Sequence, residues 1–70
     1  MSSKPRLVNS LKVHRAKMGL TQNDLAKKVG VSRKTINVIE GGDYAPSVVL
    51  ALQIAQVFKV PVEEVFELLQ

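Results

Sequence analysis

The stretch GVSRKTINVIEGG, residues Gly30–Gly42, sets two fixed cations, Arg33 and Lys34, on the first turn of an apparent helix. A helix N-terminus already carries partial positive charge, so Asp or Glu is the stabilising choice there. Ser32, just before the cations, is a preferred N-cap, and Val31 with Ile36 has the spacing of a hydrophobic staple. The helix is therefore expected from Ser32 to about Glu40, with its cations at the unfavourable end. They wait for an anion outside the protein.

Working outward, Thr21 caps a preceding helix from Gln22 to about Val29, and Asp24 at its third position resembles a capping box. Leu20 and Leu25 form the matching staple, and Gly30 stops the helix. Only Gly30, Val31 and Ser32 separate the two helices, so the chain turns sharply. Such a short, Gly-containing link predicts a helix-turn-helix at about residues 22–41. Upstream, Leu7, Leu11, Arg15 and Met18 mark one face of a first helix, closed by Gly19. Downstream of the loop GGDYAP, Ser47 caps a fourth helix through about Phe58, with Val48, Ala51, Ala55 and Phe58 on one stripe and Leu50 and Ile54 beside it. Pro61 suits the first turn of a fifth helix, and Glu63 and Glu64 suit its dipole. No run alternates long enough to predict a strand. The expected fold is all-α and compact, with five helices over 7–70 behind a flexible basic arm at 1–6.

Seventy residues make one small domain, near the lower end of what folds without a metal or disulfide. Cys is absent, which suits a reducing cytoplasm. The longest apolar run, Val48 to Leu52, is five residues, far short of a membrane span. The basic start MSSKPRLVNS is followed by no apolar signal segment, so a cytoplasmic location is expected. The charge is divided. Residues 1–34 hold nine of the ten Lys and Arg and one acid, Asp24, a net of +8, whereas residues 35–70 hold Lys59 against five acids, a net of −4. A basic half joined to an acidic half predicts that one face meets a polyanion. No stretch adds bulky exposed apolar anchors to the basic face, which disfavours a membrane and favours nucleic acid.

The segment GLTQNDLAKKVGVSRKTINVIEGGDYAPSVVLALQIAQVF, Gly19–Phe58, closely resembles the Cro/C1-type (XRE) helix-turn-helix regulators, especially the short stand-alone bacterial and phage ones. The pattern L-T-Q-x-x-L-A-x-x-x-G-V-S-x-x-T-I-x-x-I-E-x-G-x-x-x-P-S is matched from Leu20 to Ser47, and the likeness covers roughly residues 7–68. The resemblance implies a lambda-repressor-like fold and sequence-specific binding of double-stranded DNA. It implies transcriptional regulation, most often repression, without a cofactor.

Physical chemistry assigns roles within that frame. A helix in the major groove presents its N-terminal side chains to base edges. With Val31, Ile36 and Ile39 facing inward, Arg33, Lys34, Asn37 and Val38 are the expected base readers. Arg and Lys donate to guanine, Asn pairs with adenine, and an apolar group touches the thymine methyl. By resemblance, Gln22 bonds a phosphate at the start of its helix, and Tyr44 and Ser47 lie near the opposite groove wall. Thr21, Ser32 and Thr35 are caps or neighbours of caps that also border phosphate. Lys27 and Lys28 stabilise a helix C-terminus, and Lys28 is counted among the backbone contacts. Arg15 interrupts an apolar face, and by resemblance it pairs with Glu40 as architecture rather than as a DNA contact.

Catalysis needs a nucleophile with a base, paired carboxylates in a cleft, or a metal cluster. With no Cys and a single histidine, His14, expected on the surface, neither an enzyme nor a metal site is expected. The C-terminal segment carries more apolar residues than one stripe buries: Val62, Phe66 and Leu69 on the stripe, Val65 and Leu68 partly outside it. A homodimer joined there, on a near-palindromic operator, is expected. The competing role is an antitoxin that binds a protein partner through its acidic end and autoregulates its operon.

Overall fold

The computed structural model describes residues 5–69. Four α-helices form its body: α1 Leu11–Met18, α2 Gln22–Val29, α3 Arg33–Glu40 and α4 Val48–Phe58. Strand β1, Arg6–Asn9, precedes them, and a single 3-10 turn, Val62–Glu64, leads into strand β2, Phe66–Leu69. The two strands pair antiparallel, with Leu7 opposite Leu68 and Asn9 opposite Phe66. The described residues are thus mostly helical, but they form four helices and a small sheet where five helices and no strand were expected. Residues 1–4 of the expected arm lie outside the described residues, and Arg6 belongs to β1.

Local hydrogen bonding explains both corrections. Asn9 Oδ1 accepts from the Leu11 N–H, which starts α1 four residues after Leu7 and leaves Leu7 in the strand. At the other end, Ser10 donates its N–H to the Val65 carbonyl at 2.9 Å and its hydroxyl to the Glu64 carbonyl at 2.8 Å. Those carbonyls would have to accept from residues 68 and 69 if a helix continued. Taken by Ser10, they release the chain into β2, where β1 satisfies its backbone.

One core joins the four helices and the segment around Val65. Leu11, Leu25, Ile36, Ile39, Ile54 and Val65 are fully buried, each contributing about 1.5–3 kcal/mol by its burial. On α4 the inward stripe is Leu50, Ile54, Ala55 and Phe58, whereas Val48, expected on it, is 75% exposed. Met18 also lies outside the core, exposed at the end of α1. His14 is half-buried rather than superficial, its ring stacked on Phe58 at 5.2 Å. Val65, expected at a dimer interface, packs in the chain's own core at 1% exposure.

Candidate nucleic-acid interface

Helices α2 and α3 make the most extensive helix-helix contact in the structure. Gly30 ends α2 at φ 76°, a left-handed conformation that glycine adopts without steric cost, and the N–H groups of Gly30 and Val31 return to the Ala26 carbonyl. Two residues later Ser32 accepts from the Thr35 N–H and opens α3. At the head of α2 the capping box is complete: Thr21 Oγ1 accepts from the Asp24 N–H, and Asp24 accepts from the Thr21 N–H. The backbone bond from Thr21, followed by its side chain, holds the Asp24 carboxyl below its usual pKa. Ser47 caps α4 in the same way by accepting from the Leu50 N–H.

The buried face of α3 is Ile36 and Ile39, which leaves Arg33, Lys34 and Asn37 exposed and Val38 half-buried. Lys28, Thr21, Ser32, Tyr44 and Ser47 are exposed, and Gln22 and Thr35 are half-buried. The hydroxyls of Ser32 and Thr35 lie 3.0 Å apart and bond to each other. The first turn of α3 carries no acid and its last turn no base. Helix α2 has the opposite arrangement, with Asp24 in its first turn and Lys27 and Lys28 in its last. Two neighbouring helices of equal length therefore treat their dipoles in opposite ways.

Behind this surface, Arg15 and Glu40 meet as an ion pair, with side chains only 14% and 10% exposed. The Arg15 guanidinium donates to both Glu40 oxygens and, through Nη1, to the Leu20 carbonyl at 2.9 Å. Burial pushes the Glu40 carboxyl up, but the bonds from Arg15 and Gln22 and the Arg15 charge outweigh it and hold the pKa below its usual value. Glu40 in turn raises the Arg15 pKa, by its hydrogen bond first. Gln22 Nε2 donates to Glu40 at 3.2 Å, and Asn37 Nδ2 donates to Gln22 Oε1 at 3.4 Å. A continuous polar chain thus runs from Arg15 through Glu40 and Gln22 to Asn37.

Asn9 is a residue the sequence reasoning missed. Its Nδ2 donates to the Ile39 carbonyl at 2.9 Å, tying β1 to the C-terminal end of α3. The signal for it was the Asn-Ser pair just before the buried Leu11, where short polar side chains start helices. Among the described residues no cluster of His, Asp and Glu could hold a metal, and no helix is long and apolar enough to cross a membrane.

This geometry, two short capped helices joined by a tight turn with a cationic leading edge on the second, defines a helix-turn-helix protein. A family profile described as helix-turn-helix matches residues 11–65. The chain belongs to the Cro/C1-type (XRE) helix-turn-helix family. It is 57% identical over 58 residues to a protein of Methanocaldococcus jannaschii named as an uncharacterized HTH-type transcriptional regulator, MJ0272, covering 83% of this chain and 88% of that protein. YgzD of Bacillus subtilis, named in the same way, is 47% identical over 58 residues, with coverage of 83% and 88%. Among solved structures, the restriction-modification controller protein C.AhdI from Aeromonas hydrophila superposes with a TM-score of 0.72 at 30% identity, covering 77% of this chain and 82% of that one.

Proposed function

We infer that this chain is a transcriptional regulator that binds duplex DNA by seating the N-terminal half of α3 in the major groove. Arg33 and Lys34 then donate to guanine O6 and N7, Asn37 meets adenine, and Val38 touches a thymine methyl. Gln22, Thr21, Ser32 and Thr35 line one phosphate track at the heads of α2 and α3. Tyr44, Ser47 and Lys28 are assigned to the backbone around it. The capped helix heads suit phosphate because unpaired N–H groups and the helix dipole converge there. Two copies on a near-palindromic operator, with their α3 helices in successive major grooves about 34 Å apart, complete the reading. The protein then works where the genome is, in the cytoplasm and on the nucleoid.

One observation carries this reading: α3 spends its first turn on two exposed cations and no acid, although its neighbour α2 does the reverse. Fluorescence anisotropy on duplexes selected from a random library tests it. Arg33→Ala is expected to weaken the selected sequence by about 1–3 kcal/mol and to relax the preference at one base pair. Gln22→Ala is expected to weaken selected and scrambled duplexes alike. Identical behaviour of the two variants on both duplexes would refute the division into readers and positioners.

A further inference from the structure

An ionised carboxylate only accepts hydrogen bonds, whereas a side-chain amide has an accepting end and a donating end. This difference lets Glu40 settle the orientation of two amides beyond it. Both Glu40 oxygens accept from Arg15, and Oε1 accepts a further bond from Gln22 Nε2 at 3.2 Å. Gln22 therefore turns its nitrogen toward Glu40 and its oxygen away. That oxygen accepts from Asn37 Nδ2 at 3.4 Å. Asn37 in turn gives its nitrogen to Gln22 and shows Oδ1 to solvent, from an exposed position on α3. Either amide, alone, fits its space in two orientations of the same shape. The acceptor at the head of the chain leaves one.

Asn37 lies one turn after Arg33 and one turn before Glu40, so the three share one side of α3. In the major groove adenine and cytosine present an exocyclic amine, a donor, whereas guanine and thymine present a carbonyl oxygen, an acceptor. An accepting Oδ1 satisfies the first two bases and sets acceptor against acceptor with the other two. We propose that Glu40, acting through Gln22, fixes Asn37 with its oxygen toward the base, so that this position takes adenine or cytosine and rejects guanine and thymine. Adenine gains a second bond when the remaining Nδ2 hydrogen reaches N7. Glu40 is a positioning residue: it meets no base and acts by closing off the wrong orientation of Asn37. Released from the chain, Asn37 still suits adenine, but it also turns its nitrogen outward and donates to guanine O6 or thymine O4. The chain excludes wrong bases more than it strengthens the right one. This role rests on the seating of α3 in the major groove proposed above.

Fluorescence anisotropy on four duplexes that differ only at the base facing Asn37 is the test, and Asn37→Ala locates that base pair as the one whose preference it removes. The wild type is expected to bind the adenine and cytosine duplexes about fivefold to tenfold more tightly than the guanine and thymine ones. Glu40→Gln puts a donor where Gln22 met only acceptors, and Gln22→Ala removes the middle link without touching the Arg15–Glu40 pair. Each is expected to narrow the gap to about twofold or less. Comparing ratios within one variant cancels the phosphate contact that Gln22→Ala loses on every duplex. The preference at the base pair read by Arg33 is expected to keep its wild-type ratio in both variants, whereas a merely structural role for Glu40 would loosen both positions together. Far-UV circular dichroism is expected to keep the wild-type helix signal. A wild-type ratio near one, or an unchanged ratio in either variant, overturns the proposal and leaves Asn37 standing as a reader. An Asn37→Ala variant that relaxes no base pair overturns it together with the reading on which it rests.

Discussion

Replacing Arg15 with Met tests how α3 is held. The guanidinium binds both oxygens of Glu40 and the Leu20 carbonyl, and it joins α1 to the end of α3. Without it, Glu40 keeps a single side-chain donor, Gln22 at 3.2 Å. Removing one member of a buried ion pair costs about 3–5 kcal/mol, because the survivor is left desolvated and unpaired. Solvent reaches 14% and 10% of these two side chains, and Gln22 remains, so the low end applies, about 3 kcal/mol. A chain of this length has a total stability of about 4–10 kcal/mol. At ~4–8 °C per kcal/mol for a small domain, the melting temperature should fall by about 12–24 °C. Urea titration followed by circular dichroism measures it, at one fixed protein concentration because association shifts apparent stability. Glu40→Leu and the double substitution Arg15→Met/Glu40→Leu complete the cycle. The double variant, which leaves no orphan charge, should recover at least about half of the Arg15→Met loss. A loss under ~1 kcal/mol for Arg15→Met, or a double variant no better than the sum of the singles, would refute the reasoning.

Acid should unfold the protein by a route that Glu40 controls. Glu40 and Asp24 have native pKa values below their unfolded ones, so their contribution is complete above about pH 5 and is lost as pH falls through the lowered native values. Urea titrations between pH 7 and pH 2 should show that decline, and Glu40→Gln should flatten it; an unchanged acid slope in Glu40→Gln counts against this. At the end of α4, Lys59 closes the helix at φ 60°, a left-handed conformation that an L side chain adopts at a cost. Lys59→Gly should therefore stabilise by up to about 1 kcal/mol in the same urea assay, after the greater freedom of glycine in the unfolded chain is offset.

What could be read in the sequence was local. The cap at Thr21 with Asp24, the cap at Ser32, the cap at Ser47 and the stop at Gly30 each involve residues within five positions of one another. The sheet is not local. Leu7 and Leu68 are partners across nearly the whole chain, and each strand has only four residues, too few to show a period of its own. Leu7 is also four residues from Leu11, which imitates a helical face. On the interface, the leading position of Arg33 and Lys34 follows from the cap alone. The bonds of Gln22 to Glu40 and Asn37, and the half-burial of Val38, depend on how α2 lies across α3, which no short window of sequence encodes. The Asn-Ser pair marks Asn9 as the start of a helix, but its bond to the Ile39 carbonyl thirty residues away is long-range and no short window encodes it.

Charge placement on α3 is unfavourable at both ends, and the two ends are resolved differently. Glu40 sits in the last turn, where the helix dipole disfavours an acid. Arg15 answers it from inside the molecule, and that pair, with Gln22, joins α1 and α2 to α3. Arg33 and Lys34 sit in the first turn, where the dipole disfavours a base. Arg15–Glu40 is the salt bridge formed among the described residues, so no acid among those residues answers these two. An internal counter-charge at the first turn would stabilise α3 and at the same time occupy the groups that the proposed function assigns to base edges. The end fixed by Arg15 can be rigid because it contacts only protein. In the proposed reading the other end stays unpaired for duplex DNA, while the Arg15–Glu40 pair ties the far end of α3 to α1.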